Sequence, residues 1–128
     1  MNEMNLKLIN TAKGHVEKHT DGDNHTVAAA VLTKNGKLFT AMNFYHFTGG
    51  YDAEIVVLAR LLSEDEYPEI IVAVGDNNRG VLPPCGRCRQ IIFDYYPDMK
   101  VIISDDGIMK TIKELLPDTY DWNAQQNS

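Results

Sequence analysis

Apolar residues recur along this chain with two different periods, and the switches between them mark out its elements. Leu6, Ile9, Ala12 and Val16 fall at helical spacing, which predicts an amphipathic helix over about 4–19. Asp21-Gly22-Asp23-Asn24 ends it. Two β-prone runs follow, 27–32 and 37–42. They are joined across Asn35-Gly36, a pair that tolerates the positive φ of a tight hairpin. Residues 43–51 read as a loop around Gly49-Gly50. Over 52–63, Ile55, Val56, Val57, Leu58, Ala59, Leu61 and Leu62 cover almost every face, the pattern of a buried helix. Ile70 to Val74 is an unbroken apolar run, expected of a central strand covered on both sides. A loop spans 76–84, and a helix over about 86–95 is stopped by Pro97. Strands at 101–104 and 108–111 flank the turn Asp105-Asp106-Gly107. Thr111-x-x-Glu114 is a capping box opening a short last helix. A polar tail from 118 carries Tyr120 and the single tryptophan, Trp122. The order α-β-β-α-β-α-β-β-α predicts an α/β chain, with helices on the faces of a five-stranded mixed sheet.

Composition narrows the class. The 128 residues suggest one domain, long enough to bury a core without disulfides. With 44% apolar residues, disorder is excluded. The formal charge is −6 and no Lys/Arg run stands out, which argues against nucleic-acid and anionic-membrane partners. The first twenty residues are too polar for a signal peptide, and no apolar run approaches membrane-spanning length. A cytoplasmic protein is expected. A reducing compartment argues against a structural Cys85–Cys88 disulfide.

Those two cysteines carry the candidate chemistry. In Pro84-Cys85-Gly86-Arg87-Cys88 both sulfurs lie at a helix start, where free N–H groups and the helix dipole favour thiolates. A metal pair, a dithiol redox site and two inert core cysteines are the three readings of this spacing. A catalytic zinc needs a third protein ligand and an open position. His15 and His19 lie on one face of the first helix and read as solvated polar residues. His46, in the loop before the second helix, and Asp52, at that helix's start, are the candidates. Asp52 also reads as a plain N-cap. Glu54, two residues on, reads either as a first-turn acid favoured by the dipole or as a proton carrier beside a metal.

Asp52-Ala53-Glu54 followed by Pro84-Cys85-Gly86-Arg87-Cys88 resembles the H-x-E…P-C-x-x-C layout of zinc deaminases. NFYHFTGGYDAE, VAVGDNNRGVLPPCGRCRQ and ELLPDTYDW are similar, in order and spacing, to the blasticidin branch of the cytidine deaminase family. The resemblance runs from about residue 26 to residue 122. It implies a three-layer α/β/α sandwich, a homotetramer with sites near subunit contacts, and one zinc ion held by Asp52, Cys85 and Cys88. It implies Glu54 as proton shuttle and a cytosine nucleoside as substrate. Asn43, Tyr45, Ala53, Tyr120 and Trp122 would be substrate contacts. Arg87 and Arg89 read either as offsetting the charge of two thiolates and a carboxylate or as ordinary surface arginines. The family normally has cysteine or histidine where this chain has Asp52. Tyr45 stands where cytidine deaminases have a ribose-binding glutamate, which implies a modified nucleoside such as blasticidin S. Two rival readings stay open here: a zinc-binding relative without turnover, and a thiol redox enzyme using Cys85 and Cys88.

Overall fold

The computed structural model describes residues 2–126; Met1 and the end of the polar tail, Asn127 and Ser128, lie outside the described residues. Helix α1 (Glu3–His19) starts at Asn2, whose side-chain oxygen accepts the Met4 N–H at 2.8 Å. Its buried stripe is Asn5, Leu8, Ile9, Ala12 and Val16, whereas Leu6 is 44% exposed. The stripe therefore runs through Leu8 rather than Leu6. Positions 5, 8, 9, 12 and 16 share one face at 3.6 residues per turn, and Leu6 lies about 100° round from Asn5.

Strands β1 (Val27–Thr33) and β2 (Leu38–Met42) form the expected hairpin. Only Gly36 takes a positive φ, 82°, and the Thr33 and Lys37 backbones pair across a three-residue loop. The turn is thus a type I turn closed by a left-handed glycine, not a two-residue primed turn. Helix α2 (Ala53–Ser63) leads to β3 (Pro68–Gly75). The loop after β3 contains a two-residue strand, β4 (Gly80–Val81), which pairs with the end of β3 and adds a sixth strand to the five expected. Helix α3 (Gly86–Tyr95), strands β5 (Lys100–Ile102) and β6 (Met109–Thr111), and helices α4 (Ile112–Leu115) and α5 (Trp122–Gln126) complete the chain. The α4 capping box is formed: Glu114 N–H donates to Thr111 Oγ1 at 3.1 Å and Thr111 N–H to Glu114 Oε1 at 2.9 Å.

The sheet order is β2-β1-β3-β5-β6, with β4 beside β3. β1 is antiparallel to β2 and β3, β3 is parallel to β5, and β5 is antiparallel to β6. Successive side chains of a strand face opposite sides, so the sheet has two cores. Leu8, Ile9, Ala12 and Val16 of α1 pack on Ala28, Ala30, Ile70, Val72 and Val74. Val57, Leu58 and Leu61 of α2 and Ile92 of α3 pack on Ala29, Val31, Ile71 and Val101 from the other side. The result is the three-layer α/β/α sandwich.

Helix α2 is not buried all round. Leu62 is 70% exposed, and Ile55, Leu58, Ala59 and Leu62 join Ile91, Tyr95 and Tyr96 in an apolar groove of about 280 Å³. Its apolar residues serve two surfaces, the sheet and an outer face. Among the described residues no helix is long and apolar enough to cross a membrane.

The α1 register gives a direct test. Leu8→Ala removes a fully buried side chain and is expected to cost about 2–5 kcal/mol. Leu6→Ala should cost about 0.5 kcal/mol or less. Chemical denaturation of the two variants checks this, and equal losses would move the stripe.

Candidate metal centre and active site

Two crossovers position the site. β1 is antiparallel to both neighbours, so β2 and β3 point the same way. Each is followed by a helix, α2 or α3, entered from the carboxyl side of the sheet. Sites in such sheets form outside the carboxyl ends of the strands.

The loop joining β2 to α2 is tied at several points. Phe44 and Tyr51 exchange backbone bonds of 2.9 and 2.8 Å. Gly50 passes so close beneath this bridge that a Cβ there would stand 2.7 Å from the Phe44 carbonyl oxygen. From α3, Arg87 Nη1 donates to the Gly50 carbonyl at 3.0 Å. Asn43 Oδ1 accepts the N–H groups of Thr26 and Val27 at 2.9 and 3.0 Å, and its Nδ2 donates to Asn24 O at 3.0 Å. The Asn43 amide therefore braces the start of β1 and keeps one N–H in hand.

These ties bring two helix starts together. Asp52 is the N-cap of α2 and Cys85 the N-cap of α3, yet neither side chain makes a capping bond. Both turn instead toward a common point. Cys88 Sγ donates to Asp52 Oδ2 at 2.9 Å and Cys85 Sγ to the same oxygen at 3.3 Å. One donor atom from each of Asp52, Cys85 and Cys88 lies within 4.8 Å of the others, and among the described residues no other such group of three occurs. The plain N-cap reading of Asp52 is not realised.

Glu54 sits two residues on, in the first turn of α2, and is only 6% exposed. Burial pushes its carboxyl up to about 7; its own backbone N–H opposes the shift and the Asp52 charge adds to it. Burial also pushes the Cys88 thiol up, reinforced by the Glu54 charge. Four acidic groups thus crowd one place. Among the described residues no lysine, arginine or histidine is within ion-pair distance of Asp52 or Glu54. Arg87 and Arg89 make no ion pair with Asp52 or Glu54. Arg87 holds Gly50 O, and Arg89 holds Pro84 O at 2.8 Å and Leu115 O at 2.9 Å. A carboxylate oxygen and two sulfurs are accepted zinc donors. The residues present fit the metal.

A cleft of about 170 Å³ opens on this point, lined by Val27, Asn43, Asp52, Ala53, Glu54, Ala73, Leu82, Pro83 and Cys85. Val27, Ala73, Leu82 and Pro83 escaped the sequence reading. Their signal is positional: they sit at strand ends and in the Pro-Pro kink before Cys85. Three residues named from sequence stay outside the cleft within this chain. Tyr45 is 49% exposed, and its N–H donates to His25 Nδ1 at 3.2 Å. Tyr120 and Trp122 lie along α3, where Gln90 Nε2 donates to Tyr120 O at 3.0 Å and Asn123 Nδ2 to Asp94 O at 3.2 Å. His46 bonds to Thr48 in its own loop, and His15 and His19 belong to α1 across the sheet.

An α/β/α sandwich with a carboxylate–dithiol trio at two helix starts, beside a buried glutamate, defines a metal-dependent hydrolase of the zinc deaminase class. Comparison with known proteins agrees. The model of the "Cytidine and deoxycytidylate deaminase zinc-binding region" matches residues 2–104. The chain is 30% identical over 135 residues to a blasticidin-S deaminase from Bacillus cereus, covering 96% of each chain. It is 32% identical over 100 residues to a cytidine deaminase from Halalkalibacterium halodurans, covering 73% of this chain and 76% of that one. The solved cytidine deaminase of Burkholderia pseudomallei superposes with a TM-score of 0.75 at 28% identity, over 94% of this chain and 100% of that one. That of Bacillus anthracis gives 0.78 at 21% identity, over 98% and 94%, a likeness of fold alone. The chain belongs to the zinc-binding cytidine and deoxycytidylate deaminase family, and its cofactor is zinc.

Gly50 supplies a test of how the loop serves the trio. Gly50→Ala forces the loop off Phe44, at a cost of about 1–3 kcal/mol. Its displacement should also lower bound zinc per chain, measured by metal analysis of the purified, folded variant. Full zinc content with lowered stability would separate the loop from the metal site.

Proposed function

We propose that this chain hydrolyses the exocyclic amine of a cytosine nucleoside, releasing ammonia and leaving the uracil form, and that its substrate is blasticidin S or a related modified nucleoside. The observation that carries the reaction is the convergence of Asp52, Cys85 and Cys88 within 4.8 Å beside the buried Glu54. Asp52, Cys85 and Cys88 hold the metal in this reading. Zinc bound there supplies Lewis acidity, which makes a water molecule acidic near neutral pH.

Glu54 is the proton carrier. A carboxyl poised near pH 7 both accepts and returns protons at little cost. It takes a proton from the attacking water and delivers it to ring N3 as the oxygen bonds to C4. It then moves the proton of the new C4 hydroxyl to the amine, which leaves as ammonia while the C4 carbonyl forms. Ala53 and the Cys85 backbone face the pyrimidine edge, and Asn43 offers its remaining amide N–H to the sugar side of the cleft. Support for a modified nucleoside is the similarity to the blasticidin-S deaminase across nearly the whole chain, together with Tyr45 two residues beyond Asn43.

A cytoplasmic homotetramer of one-domain chains completes the reading. Both cysteines are free thiols, and the apolar α2–α3 groove offers a face for a second copy. In that assembly Tyr120 and Trp122, which do not reach their own cleft, serve as pocket contacts at a subunit boundary.

Glu54→Gln should keep fold and zinc and lose about 10²–10⁴-fold in turnover, because an amide cannot carry the protons. Turnover within tenfold of the parent would refute the proton path. Ammonia release over cytidine, deoxycytidine, cytosine and blasticidin S tests the substrate. Blasticidin S is expected to give the highest kcat/KM, and a clear preference for cytidine overturns the finer assignment while leaving the deaminase in place.

A further inference from the structure

The trio mixes one hard oxygen with two soft sulfurs. Asp52 caps α2 without a capping bond, and among the described residues its carboxylate has the two thiols as its only hydrogen-bond partners. No backbone N–H, hydroxyl or cation steadies it from behind. Ligating carboxylates are ordinarily oriented by such outer partners, and losing one typically changes metal affinity about 10–100-fold. Oxygen also donates less charge than sulfur, and thiolates are the donors that select zinc over other first-row ions. The metal position is reachable as well. Cys88 is buried at 1% exposure, but Cys85 is exposed and lies on the wall of the open cleft.

We propose that Asp52 makes this an exchangeable metal centre: it holds zinc more loosely than a three-sulfur set would, and accepts another divalent first-row ion, cobalt(II) or iron(II), with little discrimination. The inference rests on the reading of Asp52, Cys85 and Cys88 as the metal ligands. It concerns how tightly and how selectively they bind, not whether they do.

The test uses the full chain, stripped of metal under reducing, oxygen-free conditions. Zinc and cobalt are titrated separately against a chromophoric chelator in the parent, Asp52→Cys and Asp52→Ala. Asp52→Cys is expected to bind zinc about 10–100-fold more tightly than the parent and to widen the zinc-over-cobalt preference. With cobalt bound, sulfur-to-metal charge-transfer absorption per ion should stand at two parts in the parent to three in Asp52→Cys, as the sulfur count does. Asp52→Ala should bind both ions more weakly than the parent. If parent and Asp52→Cys hold zinc equally well and discriminate equally, exchangeability is wrong while the ligand set stands. If Asp52→Ala binds zinc as the parent does, with the same cobalt spectrum, Asp52 is no ligand and both readings fall. Where Asp52→Cys does not fold, Asp52→His carries the same affinity and selectivity comparison, since nitrogen is also a softer donor than carboxylate oxygen.

Discussion

Everything in this chain turns on four acidic groups being held together without a side-chain cation. Asp52, Cys85 and Cys88 meet at one point, and Glu54 lies beside them in the protein interior. The two helix N-termini help, but a dipole end contributes only about 0.3–1 kcal/mol, up to about 2 in a favourable setting. Leaving an ion uncompensated in the interior costs several kcal/mol. Helix dipoles alone therefore cannot keep this set ionised. A dication held among them would. Metal binding and ionisation of the sulfurs are consequently one equilibrium.

The rest of the fold explains how such a costly cluster is kept in place. β3 is buried along nearly its whole length, with Ile70, Val72 and Val74 against α1 and Ile71 against α2 and α3. Two apolar cores back to back fix the helices to the sheet, and the helices carry Asp52, Cys85 and Cys88 at their starts. The loop before Asp52 lies outside that framework. It is held by polar ties: the Phe44–Tyr51 bridge, the Asn43 amide, and Arg87 reaching back from between the two cysteines. Arg87 and Arg89 donate to backbone carbonyl groups. Through these bonds they tie the segments that carry Asp52 and Cys85 to their surroundings.

Much of this was legible in the sequence where local chemistry decides the outcome. The Thr111–Glu114 capping box, the glycine turn at 36 and the unbroken run of β3 each follow from one short stretch, and each is present. The carboxylate–dithiol trio was legible only through spacing and resemblance, because 33 residues separate Asp52 from Cys85 and their meeting depends on two crossovers. What escaped were properties set by a residue's neighbours in space. Leu6 and Leu8 are equally apolar, and Leu8 is the one that shares a face with Ile9, Ala12 and Val16. The apolar wrapping of α2 was legible, but not that its outer half would face away from the sheet. Arg87 and Arg89 look in sequence like counter-charges, and carbonyl groups within reach claim them first. Tyr120 and Trp122 are drawn along α3 by Gln90 and Asn123, whose amides reveal nothing of this in one dimension.

In the proposed reaction, the position of Glu54 links the metal to the chemistry in both directions. Burial and the Asp52 charge raise its proton affinity to about pH 7, whereas a dication held by Asp52 lowers it again. A proton carrier must sit between these limits: too low and it cannot return a proton to the ring, too high and it cannot take one from water. A carboxylate ligand transfers less charge to the metal than a thiolate, so more of the ion's field is left to act on the water and on Glu54. With Asp52 as the proposed ligand, oxygen in place of sulfur at position 52 trades tightness of metal binding for electrostatic pull on the reacting groups. Deep burial of Glu54 pushes its proton affinity against that pull, so the exposure of residue 54 and the identity of residue 52 constrain each other.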